Sequence, residues 1–520
     1  MHFRLRLCVL CMLIGGTATA QATDPVVERI NRIATDSSSI ERLAHSLLDS
    51  IGPRMSGTPG LERGNDWLVR RYREWGINAR NERTGTWRGW RRGYSHIDLV
   101  YPRVRTLEGM MLAYSPGTGK RDVTAEAIIL PKFADSAAFV RWLPEARGKL
   151  ILVSPPKPTC RALESYVENA TEKTRLSLAR TLDSLAREWT NRNVRGTGYN
   201  LGLGTGSLGL RMEKAGIAGM MTSRSSDAWG TLTVFETYNT RAPAVSLSCE
   251  DYGLVYRLTE SGAKPRVTLN LDAELLGERP VFNTIATIRG VENPDEYVVL
   301  SSHFDTWDAA SGATDNGTGT LMMMEAMRIL KQVYPRPKRT IISGHWVVEE
   351  QGTHGSAAFA EDHPEVLKGM QVLFNQDNGT GRILQIGGAG LPDASAHLTQ
   401  WLSQLPSALR EQITYRGPGR PAGGGSDDAS FSCHGVPAFN LQSLGWSYGN
   451  YTWHTNRDTY DKVVFDDVKS NAAVAAMLAY FASEDPTFIS RERIAATPGS
   501  EPQRPWPQCD PAGRETIPRF

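Results

Sequence analysis

The sequence has no block of like charge and no long run of apolar residues. Its 58 lysine and arginine residues nearly balance 56 aspartate and glutamate residues, so the net charge is only +2. No basic patch therefore indicates binding to nucleic acid or to an anionic membrane surface. The apolar stretch at residues 7–14 is too short to span a bilayer comfortably, and no later stretch does better. We expect no nucleic-acid partner and no membrane span.

Cysteine is also scarce, with six residues in the whole chain. Cys8 and Cys11 fall in the N-terminal segment, and the other four are too widely spaced for a zinc ribbon. An oxidising compartment would allow one or two disulfides among these four, and the sequence leaves their pairing open. The four cysteines are Cys160, Cys249, Cys433 and Cys509.

The N-terminus has the pattern of an export signal. Arg4 and Arg6 precede the apolar stretch at residues 7–14, and the small residues 18–20 follow it. The alternative is a buried N-terminal helix. The pattern favours a signal peptide at residues 1–20, a mature chain that begins near Gln21, and a periplasmic or extracellular location.

A chain of 520 residues is too long for one compact core. Strand and helix patterns alternate between about residues 280 and 485, which predicts an α/β sandwich with a largely parallel central sheet. The predicted strands are 284–288, 297–301, 340–348, 371–375 and 437–441, and the predicted long helices are 319–332 and 468–482.

The rest of the chain divides around this core. Residues 118–272 have the pattern of a separate unit, with a polar helical insertion at residues 161–193. Residues 24–117 and 273–490 would then form the main unit. Residues 491–520 are proline-rich, which predicts an irregular tail.

Five candidate metal ligands lie in separate segments, most of them just past a predicted strand. Open α/β sheets place their sites at that edge. Each residue alone has an ordinary explanation as a turn or surface residue. Together, two imidazoles and three carboxylates form the mixed nitrogen and oxygen ligand set that zinc prefers. If Asp315 is shared, each of two metals has three protein ligands and keeps room for water. The five candidate ligands are His303, Asp315, Glu350, Asp377 and His454.

Two further acidic residues accompany these ligands. Asp305 could hold the second ring N–H of His303 and so orient the imidazole. Glu349 directly precedes Glu350, and neighbours on a strand point opposite ways. One glutamate can therefore be a ligand while the other is a general base.

The strings 303–308, 312–317, 349–352 and 454–459 resemble the zinc exopeptidases of metallopeptidase family 28, in particular the carboxypeptidase Q-like branch. Residues 51–54 are similar to an early turn of that family. The resemblance implies a three-layer sandwich with a mostly parallel or mixed sheet, a β-rich protease-associated domain inserted at residues 118–272, and, by analogy, a homodimer.

The resemblance also implies a role for each residue. His303 and Asp377 would bind one zinc ion, Glu350 and His454 the other, and Asp315 would bridge them. Glu349 would be the general base, and Asp305 would orient His303. The expected activity is hydrolysis of terminal bonds in peptides or dipeptides. The alternatives are an inactive receptor or binding protein on the same architecture and a zinc-dependent glutaminyl cyclase.

One segment departs from the family pattern. Some aminopeptidases of the family place a tyrosine that supports the oxyanion near the segment that corresponds to residues 423–427. This chain has glycines there instead. The oxyanion donor is therefore unassigned, although Tyr448 and His434 are nearby in the sequence.

Overall fold

The computed structural model of the protein describes residues 24–190, 207–224, 228–493 and 505–515. The predicted signal peptide at residues 1–20 lies outside the described residues, as do 191–193 of the predicted helical insertion and most of the predicted tail.

The described residues contain fourteen strands: β1 (Asn78–Tyr101), β2 (Arg105–Thr106), β3 (Gly109–Met111), β4 (Val123–Ile129), β5 (Leu150–Leu152), β6 (Gly219–Thr222), β7 (Ala244–Leu247), β8 (Arg266–Ile288), β9 (Asn293–His303), β10 (Arg339–Trp346), β11 (Met370–Asn375), β12 (Ile383–Ile386), β13 (Thr414–Tyr415) and β14 (Ala438–Ser443).

The α-helices of the same residues are α1 (Pro25–Asp36), α2 (Ile40–Ala44), α3 (Pro59–Glu74), α4 (Ser136–Ala146), α5 (Leu163–Asn169), α6 (Glu172–Thr190), α7 (Ser207–Ala215), α8 (Cys249–Glu260), α9 (Thr318–Val333), α10 (His354–Asp362), α11 (Pro364–Gly369), α12 (Pro392–Ser403), α13 (Ser407–Arg410), α14 (Ala429–Ser432) and α15 (Phe465–Glu484). Shorter helical turns cover His45–Ile51, Ala313–Gly317, Tyr448–Thr452 and Tyr460–Lys462.

The centre of the main unit is a mixed sheet in the order β13-β12-β14-β11-β9-β10-β8. Strands β10, β9, β11 and β14 run parallel to one another, whereas β8 is antiparallel to β10 and β12 is antiparallel to β14. Strand β13 pairs with β12 in parallel. The parallel strands are buried on both faces, as such strands usually are. This arrangement confirms the predicted α/β fold.

Alternate residues of β9 belong to different layers of the core, because successive side chains of a strand point to opposite faces. Val298 and Leu300 pack with buried residues of α1, α3, α9 and α15. Val299 packs with buried residues of α10, α11 and α14 on the opposite face. Helices therefore cover both faces of the sheet, which gives the expected three layers.

A two-stranded ribbon connects the main unit with a second sheet. Strands β1 and β8 pair along almost their whole length, from Asn78 with Thr287 to Tyr101 with Arg266. The end of β8 pairs with β10, and its beginning pairs with β4. The segment predicted as a strand at 284–288 is thus the end of a strand of 23 residues.

The second sheet continues in the order β8-β4-β5-β6-β7-β3. Strands β4 to β7 are parallel, and their core includes buried residues of α4, α7 and α8. Residues 109–111 pair with β7, although they precede the predicted boundary at 118. The assignment of this unit as a β-rich protease-associated domain and the domain boundaries stay predictions.

Two disulfides settle the cysteine pairing that the sequence left open. Cys160 is bonded to Cys249, the first residue of α8, and Cys433 is bonded to Cys509. The second bond attaches residues 505–515 to the main unit, and this segment contains no helix or strand. The assignment of residues 491–520 as an irregular tail stays a prediction. In the described ranges, no helix has both the length and the apolar character needed to cross a membrane.

Candidate active site

The predicted ligands meet at one edge of the central sheet. His303 is the last residue of β9, and Glu350 and Asp377 follow β10 and β11. His454 follows the turn at Tyr448–Thr452, and Asp315 lies in the turn before α9. Because β9, β10, β11 and β14 are parallel, the loops after them converge at their carboxyl ends, where open α/β sheets place their sites.

The five side chains form two groups, in each of which the possible ligand atoms lie within 4.8 Å of one another. In the first group, Nε2 of His303 is 2.9 Å from Asp377 and 3.2 Å from Asp315. In the second, Nε2 of His454 is 2.9 Å from Glu350 and 3.1 Å from the other oxygen of Asp315. Asp315 therefore belongs to both groups and turns one carboxylate oxygen towards each.

This donor set fits two zinc ions. Imidazole nitrogens and carboxylate oxygens are common protein ligands of zinc and of other metal ions of similar character. Oδ2 of Asp315 is buried and makes no hydrogen bond within the described part of the chain, although Nε2 of His454 is close. A buried carboxylate oxygen without such a bond is costly for a protein, and a bound cation would satisfy it.

The electrostatics of the cluster also favour a bound cation. Burial by itself would lower the pKa of His454, but Glu350 and Asp315 outweigh it and raise this pKa to about 9. Burial and the neighbouring Asp315 raise the pKa of Glu350 to about 7. The site thus attracts positive charge, and metal ions compete with protons for its imidazoles.

Asp458 holds the backbone of the bridging residue in place. Its carboxylate accepts hydrogen bonds from the backbone N–H of Thr314 (2.8 Å), from the Thr314 hydroxyl (2.8 Å) and from the N–H of Asp315 (3.0 Å). Burial raises the pKa of Asp458 to about 7. Partners of this kind orient metal ligands and contribute to metal affinity.

Asp305 lies beneath the site, but its contacts differ in part from the expected ones. Nδ1 of His303 faces the main-chain oxygen of Asp305 at 3.0 Å, and the nearer carboxylate oxygen is 3.7 Å away. The carboxylate accepts the N–H groups of Glu349 (3.2 Å) and Glu350 (3.4 Å). Asp305 therefore anchors the loop after β10 as well as the imidazole of His303.

The two adjacent glutamates point to different parts of the site. Glu350 faces His454, whereas Oε2 of Glu349 lies 4.0 Å from Nε2 of His303. Strand alternation is not the cause, because β10 ends at Trp346 and both glutamates lie in the turn beyond it. Burial raises the pKa of Glu349 well above its ordinary value, against the opposing effect of His303.

Arg54 is fully buried and supports the loop after β9. Its guanidinium donates to the main-chain oxygens of Phe304 (2.9 Å) and Gly312 (3.2 Å), and also to those of Gly52 (3.0 Å) and Ser311 (2.9 Å). Burial lowers its pKa to about 10, partly offset by Asp458 and Asp305. Arg54 thus fixes the loop that leads from His303 to Asp315.

The second unit also reaches the site. The N–H of Val234 donates to the main-chain oxygen of His454 (3.0 Å), and Thr233 pairs with Thr455. The Phe235 ring meets the His454 ring edge-on, with centroids 5.0 Å apart. The Trp453 ring stacks on the His454 ring, with centroids 3.8 Å apart. The His454 loop is therefore held between the two units.

Of the two residues considered as oxyanion donors, His434 and Tyr448, only Tyr448 lies near the proposed ligands. His434 is exposed, next to the disulfide of Cys433, and that bond excludes the cluster of Cys433, His434 and Cys509 as a thiolate site. Tyr448 packs against Gly379, and burial together with the charges of Asp315 and Asp377 raises its pKa well above the ordinary value.

The sequence alone does not indicate the roles of Asp458 and Arg54, although these residues lie in the segments 454–459 and 51–54 that carry the family resemblance. Their partners are backbone groups far away in the sequence, at 304–315. Phe235 was missed altogether, because nothing in its local sequence indicates contact with His454.

Comparison with known proteins agrees with this geometry. Residues 283–479 match the sequence model of Peptidase family M28. Carboxypeptidase Q from Bos taurus is 26% identical over 460 residues, which cover 87% of each chain.

Solved structures show the same fold. A peptidase M28 precursor from Shewanella amazonensis has a TM-score of 0.66 at 22% identity and covers 91% of this chain and 98% of its own. A zinc aminopeptidase from Bacillus subtilis has a TM-score of 0.56 at 17% identity and covers 88% of this chain and 98% of its own.

The fold, the site and these matches define the protein as a metallopeptidase. Residues 283–479 are similar to peptidase family M28, and the chain is similar to carboxypeptidase Q along most of its length.

Proposed function

We propose that this protein is a di-zinc exopeptidase that hydrolyses terminal peptide bonds of peptides or dipeptides, as an aminopeptidase or a dipeptidase. One observation carries the proposal: two ligand groups share Asp315, and a further carboxylate, Glu349, stands 4.0 Å from His303 without belonging to either group. The similarity to carboxypeptidase Q and to a zinc aminopeptidase supports exopeptidase activity.

In this proposal His303 and Asp377 would hold one zinc ion, Glu350 and His454 would hold the other, and Asp315 would be a ligand shared by both. Zinc held by these residues would supply a water of lowered pKa and a positive charge beside the scissile carbonyl. Asp458 and Asp305 keep the ligand loops in place through the backbone of Asp315 and of Glu349 and Glu350.

Glu349 is the proposed general base. Its carboxylate takes a proton from the attacking water while the water oxygen bonds to the scissile carbonyl carbon. The same carboxyl group then gives this proton to the amide nitrogen as the C–N bond breaks. The products are a free amine and a carboxylic acid, which releases its remaining proton to solvent and becomes a carboxylate. Glu349 returns to its starting state. Its buried position keeps this proton away from bulk water.

The position of the second unit supports action on chain ends. The segment around Thr233–Phe235 pairs with the His454 loop, so a loop of the second unit lies against one side of the site. A site enclosed in this way accepts a chain end more readily than the middle of a folded chain. The two disulfides also fit an exported protein, since disulfides persist in oxidising compartments.

Cleavage of a small peptide panel tests the proposal. A free dipeptide, an N-acetylated dipeptide and a C-amidated dipeptide are incubated with the zinc-loaded protein, with and without a chelator. We expect cleavage of the free dipeptide, no cleavage of the N-acetylated one, and loss of activity with chelator. Cleavage of the C-amidated substrate would indicate an aminopeptidase, and its resistance would indicate a dipeptidase.

Three results would contradict the proposal. Cleavage of the N-acetylated substrate alone would indicate a carboxypeptidase. Absence of any cleavage by the zinc-loaded protein would favour a receptor or binding protein. Release of ammonia from a peptide with N-terminal glutamine, without peptide cleavage, would indicate a glutaminyl cyclase.

A further inference from the structure

A cavity of ≈ 370 Å³ lies directly beside the candidate metal centre, because Asp377 forms part of its wall. This volume is in the range of pockets that hold small ligands, about 300–1,000 Å³. Loops after β11, β12 and β13 and two residues of β14 form the remaining walls. A substrate whose scissile bond lies at the metal centre would place a neighbouring side chain here.

The wall of this cavity is unusually polar. Ligand pockets are mostly lined by apolar and aromatic side chains. Here the residues that line the cavity are glycines, Ala422 and the following polar or charged residues: Asp377, Asn378, Arg420, Ser426, Asp428, Asn440 and Gln442. An apolar side chain in this space would displace water from polar groups without replacing their hydrogen bonds, which costs free energy.

Besides Asp377, the wall contains two charged side chains, Asp428 and Arg420, which have opposite charges and different surroundings. Asp428 is only 4% exposed, and burial together with the charge of Asp377 raises its pKa to about 7. Arg420 is exposed. Water screens the exposed charge strongly, whereas a buried carboxylate interacts strongly with an ion that reaches it.

Glycines make room for a long side chain. At Gly424 and Gly425 an added Cβ would meet no atom within 4 Å, and both residues have positive φ, at which other residues are strained. The loop therefore leaves the cavity wide where a bulkier residue would narrow it. An extended side chain can pass this loop and bring its end to Asp428.

We infer that this cavity selects a cationic side chain, lysine or arginine, on the residue next to the scissile bond, with Asp428 as its counter-charge. This inference rests on the proposed function, since it assumes a peptide at the metal centre. Among the described residues, Asp428 makes no hydrogen bond to the backbone of a proposed metal ligand, and it takes no part in the proposed proton transfer. It is a specificity-determining residue.

Matched dipeptides test this selectivity. Lysine and norleucine have side chains of similar length, and only lysine carries a charge. We compare kcat/KM for Lys-Ala with norleucine-Ala, and for Ala-Lys with Ala-norleucine, since either neighbour of the scissile bond can enter the cavity. In one of these pairs we expect lysine to be favoured at least about tenfold, the factor for one charge-assisted hydrogen bond. Glu-Ala and Ala-Glu test the opposite charge.

Asp428→Asn should abolish most of this preference while leaving hydrolysis of the norleucine substrates largely unchanged, which also shows that the variant folds. Asp295→Asn is the matched control, because Asp295 is exposed near the start of β9, far from the cavity. Equal rates for lysine and norleucine in both pairs, a preference for glutamate, or an unchanged preference in Asp428→Asn would each overturn the inference.

Binding provides a readout that does not depend on turnover. Calorimetry with the zinc-loaded protein compares free lysine with free norleucine. If the wild-type protein hydrolysed no dipeptide, the proposed function would fail, and tighter binding of lysine that is lost in Asp428→Asn would still support the cavity. Equal binding of both amino acids would overturn the cavity as well.

Discussion

At the scale of single residues, the carboxylates of the site fall into distinct environments. Asp315 faces both imidazoles, Glu350 faces one of them, and Glu349 faces the first ligand group at a longer distance. Asp458 and Asp305 face backbone N–H groups instead. This separation lets neighbouring residues of one chemical type serve as ligand, as base and as support for the ligand loops.

Glu349→Gln tests the proposed base. The amide keeps the size of the side chain but cannot take a proton, so we expect kcat to fall by about 100- to 10,000-fold, the contribution of a general base. Bound zinc, measured by mass spectrometry, should stay unchanged because Glu349 belongs to neither ligand group. Glu278→Gln, at an exposed residue of the β1–β8 ribbon, is the control. Nearly normal turnover in Glu349→Gln would rule out this role.

Asp458→Asn tests the support of the bridging residue. The amide has one acceptor oxygen where the carboxylate has two, so the bonds to Thr314 and Asp315 cannot all persist. We expect zinc affinity to fall by about 10- to 100-fold, with activity restored by added zinc. Titration of activity with buffered zinc measures the change. Asp461→Asn, at an exposed residue of the same loop, is the control, and a zinc affinity equal to that of wild type would contradict the role.

The sequence predicts that His303, Glu350 and Asp377 lie together, because each ends or follows an apolar strand and the parallel strands of an α/β sheet end at one edge. It does not predict the partners of these residues. The guanidinium of Arg54 donates to a main-chain oxygen that only the folded chain brings near it, and the fold likewise places Asp428 in the wall of the cavity beside Asp377. The contact of Asp305 with the backbone of Glu349 is equally invisible in a sequence pattern.

At the scale of elements, the turn before α3 supports the loop after β9. Gly57 has a φ of +75°, and an added Cβ would lie 2.2 Å from the main-chain oxygen of Arg88 in β1. Thr58 then caps α3 by accepting the N–H of Leu61 (3.4 Å). The tight turn places Arg54 under the loop that leads to Asp315. Strand and helix patterns predict such elements, but not which loop a turn will support.

Arg54→Lys tests this support. Lysine keeps the positive charge but cannot reach the four carbonyl oxygens that the guanidinium spans. We expect the free energy of unfolding to fall by about 2–5 kcal/mol, because buried acceptors lose their donors. The midpoint of urea denaturation measures this loss. Arg80→Lys, at an exposed arginine of β1, is the control, and an equally small effect of both variants would contradict the role of Arg54.

At the scale of the whole molecule, two sheets share one long strand, β8. Alternation of apolar and polar residues predicts strands on both sides of the 118–272 unit, but it cannot show that β1 and β8 form one ribbon through both sheets. That pairing joins residues 165 to 209 positions apart in the sequence, from Tyr101 with Arg266 to Asn78 with Thr287, so only the fold reveals it. The homodimer and the protease-associated assignment stay predictions at this scale.

The most direct test of the metal centre is the zinc content of the folded chain. The protein is stripped with chelator, reloaded with excess zinc, freed of unbound metal and measured by mass spectrometry, in parallel with Asp315→Ala. Because Asp315 belongs to both ligand groups, we predict two zinc ions per wild-type chain and marked loss of zinc and dipeptide hydrolysis in the variant. One zinc ion or none in the wild-type chain, or full zinc content in Asp315→Ala, would contradict the proposed centre.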